Sequence, residues 1–383
     1  MDIVSSRALG WVACVALGAP SAYAAEWSVQ PAFAVGTDYD SNRTLAPEAI
    51  GSEGVSMSGN MRLVHATERL QLLVLPELAL QRYSDRRFDR SDNDAITADA
   101  AWTGISSSLD LNASLRDQST LSSELLSTGI IDLHTRRRDE QAGGTWSYAY
   151  AERWSVSLFS TYLSENYHGN ATTPLQDNRL TTIGLSEKYV ASERLSFAAS
   201  VSSGRYTTEQ AFFDTRSASA SSGFVLNLSE RNSISGELGW NRRTDRFARS
   251  SGFVGQISIT RTTEVGSVSL SGGRSVNPSG FGVFSQTDQA LLSASRGLTE
   301  RLALGAAVSW YRTQSAFQSF SFEERSFSQV RVSLTWQANE YWSIRGQLEG
   351  NRADSRLNAD LIARGWRAGL VTIWAPQKHS LSR

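Results

Sequence analysis

Four histidines are the residues of this sequence best suited to act as a general base. Catalysis by a serine hydroxyl requires an imidazole within hydrogen-bond reach, with a carboxylate to orient the ring. His134 and His168 lie in predicted outer loops, where a rim hydrolase would carry them, whereas His65 lies beside a predicted turn and His379 near the C-terminus. Because no spacing ties a serine to either loop histidine, we expect solvated side chains and predict no catalytic residue and no enzyme.

Charged runs are the second candidate for chemistry, because closely spaced carboxylates offer oxygen ligands to Ca²⁺. Neither acidic run continues with the turn glycine and closing glutamate of an EF-hand, so we predict no metal and no cofactor. Solvated charges, or cation-bridged contact with lipopolysaccharide phosphates, are expected instead. A basic run is interpreted as the charged start of a strand. The alternatives are contact with lipopolysaccharide phosphates and a guard at the mouth of the pore. The acidic runs are Asp38 with Asp40, and Asp89 with Asp92 and Asp94; the basic run is Arg136–Arg138, followed by Asp139 and Glu140.

The first 24 residues have the features of a secretory signal peptide. Arg7 supplies a positive charge, Ala8–Gly18 is an apolar run too short to span a bilayer, and residues 22–24 form a small-x-small cleavage site. The single cysteine, Cys14, lies inside this segment, so the mature chain is predicted to have no disulfide and no cysteine-based metal site. The formal net charge of −1 gives no indication of nucleic-acid binding.

Beyond this segment the chain consists of stretches of about ten residues in which apolar and polar side chains alternate. Successive side chains of a strand point to opposite faces, so each stretch has one apolar and one polar face. No apolar run of about 18 residues occurs, which excludes transmembrane helices. The clearest alternating stretches are residues 109–116, 234–241, 329–336 and 342–349.

Short turns of one type separate many of these stretches. A Ser, Thr or Ala followed by Glu-Arg recurs at residues 67–69, 151–153, 192–194, 229–231 and 299–301. Further turns are predicted at 104–106, 262–264 and 338–340, which gives a period of about 40 residues, or two strands. Longer polar segments alternate with the turns, the longest being 119–138. Short turns on one side and long loops on the other are typical of outer-membrane barrels, whose turns lie in the periplasm.

Aromatic residues mark two levels along the predicted strands. At about 3.3 Å per residue and a tilt of about 40°, the two levels lie roughly 20 Å apart in height, close to the apolar band of about 25 Å between the girdles of such barrels. One set lies beside predicted periplasmic turns or termini: Trp102, Tyr148, Tyr150, Trp154, Trp336, Trp342 and Trp374. The other lies about eight residues further along: Trp240, Trp310 and Trp366.

These features predict an all-β fold: a transmembrane, antiparallel, up-and-down β-barrel of about 18 strands with short periplasmic turns and longer extracellular loops. Only closed barrels or helices satisfy their backbone hydrogen bonds within lipid. The predicted domains are a cleaved signal peptide (1–24), an outer-membrane β-barrel (25–374) and a C-terminal tail (375–383). Glu187 would face lipid, so we expect a bulge or register change within residues 181–190.

The sequence resembles the proteobacterial β-barrel porins encoded near exopolysaccharide and exosortase gene clusters. The resemblance covers the mature chain and rests on Gln30-Pro31-Ala32-Phe33, Tyr39-Asp40-Ser41-Asn42, the Glu-Arg turns and Ser-rich strands such as 195–203. It implies a channel in the outer membrane of a Gram-negative bacterium, with a role in polysaccharide export. It supplies no catalytic or binding residue.

The polar faces of the predicted strands give a pore lining of balanced charge. Rings of charge set selectivity, so this balance is typical of a weakly selective pore or a path for a neutral sugar polymer. The alternative is that these side chains pair across the lumen and stiffen it. Segment 119–138 is the predicted constriction. The predicted pore-lining residues are Glu77, Asp110, Glu237 and Glu349 against Arg116, Arg331, Arg345 and Arg367.

The leading functional hypothesis is therefore a passive, porin-like channel for saccharide or exopolysaccharide transport. The second is a non-conducting structural or assembly barrel of a secretion complex, and the third is an outer-rim hydrolase. The expected partners are outer-membrane lipid, lipopolysaccharide, the barrel-assembly machinery and components of polysaccharide export. The terminal segment, with Trp366 and Trp374 on one face, resembles the strand that assembly machinery reads.

Overall fold

The structure is a computed structural model that describes residues 26–88, 91–124, 135–169, 175–209, 214–245, 249–316, 324–355 and 361–380. The predicted signal peptide (1–24), Asp89, His134 and residues 125–134 of the predicted constriction lie outside the described residues.

Eighteen antiparallel strands form one closed sheet. Each strand pairs with the next along the chain, and β1 pairs with β18, which confirms the predicted up-and-down barrel. Such closure lets backbone groups pair internally, as a lipid environment requires. The strands are β1 (Glu26–Asp40), β2 (Ser52–Ala66), β3 (Leu70–Tyr83), β4 (Asn93–Thr103), β5 (Ser107–Ser119), β6 (Arg136–Ala151), β7 (Trp154–His168), β8 (Asn178–Ser192), β9 (Leu195–Thr208), β10 (Thr215–Ser229), β11 (Asn232–Thr244), β12 (Arg249–Thr263), β13 (Gly266–Pro278), β14 (Phe284–Gly297), β15 (Leu302–Ser315), β16 (Arg325–Gln337), β17 (Trp342–Ser355) and β18 (Leu361–Trp374).

Helical structure in the described part of the chain is limited to two short segments at the loop end. A 3₁₀ turn spans Arg86–Phe88 between β3 and β4, and helix α1 spans Thr120–Ser123 after β5. Among the described residues, no helix combines the length and the apolar content needed to cross a membrane.

A hydroxyl at the first position explains the repeated turn motif. Thr67 Oγ1 accepts hydrogen bonds from the backbone N–H groups two and three residues later, at 3.3 and 2.9 Å. Ser192, Ser229 and Thr299 accept the same pair of bonds in their own turns. The amide oxygen of Asn339 does so as well. Such side chains satisfy N–H groups that a tight turn leaves without a backbone partner.

The pleat gives the strands an apolar outward face and a polar inward face. On β1, Phe33 and Val35 point outward and are about half exposed, and Met57 of β2 lies opposite Val35 on the same face. Gly36 and Asp38 point the other way, into the barrel. A continuous exposed apolar surface of this kind requires lipid around it.

The prediction of a register change at Glu187 is wrong. β7 and β8 pair without interruption over residues 154–165, and the β8–β9 shift lies at the turn, between Val190 and Ser192. Glu187 keeps its outward position, and its Oε1 accepts a hydrogen bond of 2.5 Å from the Tyr150 hydroxyl. A neighbouring side chain near the turn end of the sheet therefore satisfies the carboxylate, and the backbone need not change.

Buried apolar side chains gather at the loop end of the barrel. Two of the clusters join a loop residue, Leu45 or Phe88, to side chains near strand ends, and the third joins side chains near the ends of β9 and β14. Parts of the loops therefore pack over the mouth. The clusters are Leu45 with Phe327, Ala353 and Ala363; Tyr83 with Phe88 and Leu121; and Tyr206 with Phe284.

The segment after β18 returns to the first strand. β18 pairs with β1 only from Phe33 onward, and a two-residue strand β19 (His379–Ser380) pairs with residues 28–29. Lys378 Nζ lies 2.7 Å from Glu26 Oε1 at the start of β1. The segment predicted as a C-terminal tail thus continues the pairing of the first strand beyond the end of β18.

Candidate functional site: the barrel lumen and its outer mouth

All eight predicted pore-lining residues occupy inward positions of the pleat. Arg331, for example, lies between the exposed, outward Val330 and Val332. Cross-strand register places Arg331 opposite Glu349, and Glu349 opposite Arg367. The eight residues are Glu77, Asp110, Arg116, Glu237, Arg331, Arg345, Glu349 and Arg367.

Some of these charges are neutralised within the wall. Arg331 Nη2 lies 2.8 Å from Glu349 Oε2, and Arg367 Nε lies 3.0 Å from Asp38 Oδ2. The carboxylates of both pairs are largely buried, whereas the arginines are partly exposed. In the described part of the chain, no ion pair involves Glu77, Asp110, Arg116 or Glu237. The lumen therefore carries fixed charges of both signs.

Serine side chains cover much of the remaining inner wall on β6–β14. Hydroxyls on neighbouring strands hydrogen-bond to each other, as in Ser200–Ser221 at 2.7 Å and Ser202–Ser219 at 2.6 Å. The same contact recurs at Ser147–Ser157 and Ser269–Ser293. Because a hydroxyl both donates and accepts, this wall offers hydrogen bonds to neutral polar solutes.

Arg137 is the centre of a charged network at the outer mouth. Its Nη1 donates to Glu124 Oε1 at 2.9 Å, its Nη2 to Glu165 Oε1 at 2.6 Å, and its Nε to Asp139 Oδ1 at 2.6 Å. The Tyr167 hydroxyl donates to Glu124 at 2.9 Å. None of the four charged side chains is more than 16% exposed, so the network is shielded from solvent. One cation here holds three carboxylates.

This network fixes the start of the predicted constriction against the inner wall. Arg137 points inward from β6 and Glu165 from β7, while Glu124 directly follows α1. Leu121 of α1 also packs in a cluster with Tyr83 and Phe88. The described part of segment 119–138 therefore bends into the mouth of the barrel.

The β1–β2 loop covers another part of the mouth. The Arg43 guanidinium stacks on the Tyr83 ring, 3.5 Å from its centroid, and donates to the Tyr83 hydroxyl. Burial lowers the pKa of Arg43 from its usual value, and the nearby Tyr83 and Asp38 oppose that shift. Leu45 of the same loop packs on Phe327 of β16. One loop thus contacts the inner wall on both sides of β1.

Two loops from separate parts of the wall also contact each other. The backbone N–H of Gln176, before β8, donates to the carbonyl of Gly280, after β13, at 2.8 Å. Gly282 has φ of 76°, a backbone conformation that favours glycine, and a Cβ there would lie 2.5 Å from Gln176 Oε1, so the end of that side chain would have to move. Nearby, the fully buried Tyr206 packs on Phe284 at 4.9 Å between ring centroids. These contacts narrow the outer opening.

Sequence reasoning did not identify the residues that hold the mouth together. Glu124, Arg43 and Tyr83 have no periodic pattern around them, and their partners are distant in sequence. One signal was present, since the basic run contains Arg137 and the segment before it contains a carboxylate at Glu124. The other two arginines of the run pair locally: Arg136 with Asp117 at 2.6 Å, and Arg138 with Glu140 at 3.1 Å.

Two of the described aspartates in the acidic runs are engaged by arginines. Asp38 contacts Arg43 and Arg367, and Asp92 lies 2.6 Å from Arg82. Across the ranges that the structure describes, no group of three or more His, Cys, Asp or Glu side chains is suited to hold a metal ion.

The histidines occupy separate places. His168 lies at the end of β7 with its Nε2 3.5 Å from Asp117 Oδ2, and half of its side chain is exposed. His65 is buried against the Trp27 ring, with 4.4 Å between centroids. Within the described residues, neither histidine is hydrogen-bonded to a serine hydroxyl, so the arrangement expected of a rim hydrolase is not assembled there.

The predicted interface aromatics all lie on outward positions of their strands. Contacts between them and their neighbours run across strand pairs, as in Phe33–Trp374 at 5.7 Å and Tyr39–Trp366 at 5.1 Å between centroids. The set comprises Trp102, Tyr148, Trp154, Trp240, Trp310, Trp336, Trp342, Trp366 and Trp374.

The 18-stranded sheet is closed, and its exterior is apolar and exposed, with aromatic residues at two levels. These are the features of a β-barrel that spans the outer membrane. The chain is an outer-membrane β-barrel. Two solved structures share this fold. Pseudomonas aeruginosa OpdO is 12% identical with a TM-score of 0.51, covering 93% of this chain and 98% of its own. Acinetobacter baumannii OccAB3 is 9% identical with a TM-score of 0.50, covering 92% of this chain and 99% of its own. No family model and no curated protein matches the sequence.

Proposed function

We propose that this barrel is a porin-like channel that passes small polar solutes through a lumen narrowed at its outer mouth. The observation that carries this proposal is the inner wall, which is polar along strands whose outer faces are apolar. A barrel of about 18 strands leaves an aqueous channel unless a loop or plug fills it. The loops described above fold into the mouth, and we infer that they set the size of the opening.

Neutral saccharides are the solute class that we favour. Inner-wall serines offer both donors and acceptors, and ion pairs such as Arg331–Glu349 neutralise charge within the wall. Passage of an exopolysaccharide chain would require more, because the Gln176–Gly280 contact links loops above the lumen. We therefore propose saccharides of limited length as solutes, with export of a polymer dependent on opening of these loops.

Single-channel conductance in a planar bilayer tests the channel. The two proteins are the intact barrel and a variant in which a short glycine linker replaces residues 120–135, which joins β5 to β6 without changing their pairing. We expect steady conductance from the first and a higher value from the second. Arg87→Ala is the matched control, because Arg87 lies in another outer loop and its side chain is 59% exposed. Its conductance should equal that of the intact barrel.

A barrel that inserts correctly but conducts in neither form would exclude the channel and favour the structural role in a secretion complex. Solute class is tested separately, by liposome swelling with neutral sugars of increasing length and with anionic sugars of matched size. Faster entry of the neutral series supports the saccharide proposal. Equal or slower entry of that series contradicts it and leaves the channel itself intact.

A further inference from the structure

Five arginines gather on the outward face of β8–β12 at the loop end of the strands. Outward positions alternate with the lumen-facing ones, and all five side chains are exposed. Five neighbouring strands, about 4.8 Å apart, span roughly 19 Å of the rim. We call this set the arginine patch: Arg179, Arg205, Arg216, Arg242 and Arg249.

Strand register brings the members of the patch close together. Arg205 and Arg216 are directly opposed across the β9–β10 pair. Arg249 lies opposite Thr244, which in turn lies opposite Arg216. Directly opposed residues have Cβ atoms about 5 Å apart, and like charges in that relation destabilise a sheet. The positions therefore carry an electrostatic cost unless an anion lies between them.

Among the described residues, one arginine of the patch forms an ion pair. Arg205 lies 3.1 Å from Asp214, and both side chains are about half exposed or more. The other four arginines form no ion pair with any residue that the structure describes. On β3–β6 of the same rim, by contrast, the arginines are paired: Arg82 with Asp92, Arg136 with Asp117, and Arg138 with Glu140.

An aromatic and apolar surface lies directly below the patch on the same outward face. Trp240 precedes Arg242 by one outward position on β11, and Phe253 of β12 lies opposite Trp240. Ala218 and Ala220 continue this face on β10. A free inorganic anion would gain nothing from this surface. A lipid would place its headgroup against the arginines and its acyl chains against the residues below.

We propose that the arginine patch binds the phosphate groups of a phosphorylated outer-leaflet glycolipid, the lipid A part of lipopolysaccharide. Arginine pairs with phosphate through two parallel hydrogen bonds, so five guanidinium groups provide donors for two phosphates. Binding is direct, because the patch needs no divalent cation to bridge it to an anion. The proposal rests on the placement in the outer membrane and is independent of whether the lumen conducts.

Lipid binding by the purified barrel tests the patch. Native mass spectrometry of the detergent-solubilised protein counts bound diphosphoryl lipid A across a titration, in the presence of EDTA. The double variant Arg205→Gln/Arg216→Gln is compared with Arg82→Gln, whose parent side chain is outward, 59% exposed and paired with Asp92. We expect a dissociation constant about tenfold higher or more for the double variant, and no change for the control. A shift in gel mobility on heating verifies that every variant is a folded barrel.

Two further titrations separate the lipid from other phosphate sources. Monophosphoryl lipid A should bind the intact barrel more weakly than the diphosphoryl form, and millimolar inorganic phosphate should not displace either. Equal lipid A affinity of the intact barrel and the double variant would overturn the proposal. So would complete displacement by inorganic phosphate, which would mean a site for free phosphate, or an equal loss in Arg82→Gln, which would mean unspecific attraction to positive charge.

Discussion

At its outer end the barrel buries side chains from loops that are distant in sequence, whereas at its other end five of the turns are stabilised by a side chain within the turn itself. The outer mouth contains three apolar clusters and the Arg137 network. The short turns rely on one hydroxyl or amide that accepts two N–H groups, as Thr67 and Ser229 do. One end is therefore organised by long-range contacts and the other by local ones.

This difference predicts how each end responds to substitution. Removing one member of a buried long-range network leaves several partners unsatisfied at once. Removing one turn hydroxyl affects two backbone groups that water can still reach. Single substitutions should therefore destabilise the barrel more at the outer mouth than at the turn end.

The largest effect is expected for Arg137→Gln. The change leaves Glu124, Glu165 and Asp139 close together without their shared cation, and loss of one partner of a buried ion pair costs about 3–5 kcal/mol. Guanidinium unfolding in lipid vesicles measures this loss. Arg352→Gln is the control, because Arg352 lies in a half-exposed pair with Asp354 and should contribute less than about 1 kcal/mol. Equal losses for the two variants would remove the distinction between a buried network and a surface pair.

Leu45→Ala should have the next largest effect. Leu45 is buried against Phe327 and two alanines at the mouth, and removal of such a side chain costs about 2–3 kcal/mol. The same unfolding titration measures it, and faster proteolysis of the β1–β2 loop should accompany it. Ile105→Ala, in an almost fully exposed turn, should leave both readings unchanged. A stable, protease-resistant Leu45→Ala protein would show that the loop is held by its polar contacts alone.

At the turn end, one substitution should lower the stability of the barrel and another should raise it. Ser229→Ala removes the acceptor for the N–H groups of Arg231 and Asn232, with an expected loss of about 1 kcal/mol. Ala151→Ser adds a hydroxyl at the equivalent position of another Glu-Arg turn, with an expected gain of a few tenths of a kcal/mol. Unfolding midpoints that move in opposite directions would support the turn mechanism. Movement in the same direction would contradict it.

The smallest effect is expected on the inner wall. Ser200→Ala removes one hydrogen bond to Ser221 in a wall that water reaches, so the loss should be about 0.5 kcal/mol or less. Conductance is the more informative reading, since the variant removes one polar group from the lumen. A loss comparable to that of Leu45→Ala would mean that this part of the wall is dry and packed.

The sequence predicted those parts of the molecule that repeat. Two-residue alternation sets the inward position of Arg331 and the outward position of Trp240, because the pleat leaves only two choices. The Glu-Arg turns were found because their hydroxyl or alanine recurs at a fixed place. The position of β1 beside β18 follows once the strand number is even and the barrel closes.

The outer mouth could not be predicted in the same way. Gln176 and Gly280 meet through backbone atoms of two irregular loops, which no alternation or composition marks. The register change predicted near Glu187 does not occur for a related reason, because a tyrosine hydroxyl from another strand satisfies its carboxylate. Both features depend on which segments become neighbours after folding.

The pairing of β1 with β18 and β19 also has a consequence for the order of folding events. Glu26 and Lys378 are joined across 352 positions of the chain, whereas every other strand pair joins neighbours in sequence. Pairings of such long separation form late and slowly, even though their added entropic cost is modest. Until they form, both edges of the sheet are open to strands of other chains. We therefore expect residues 375–380 to control how long the folding barrel remains prone to aggregation.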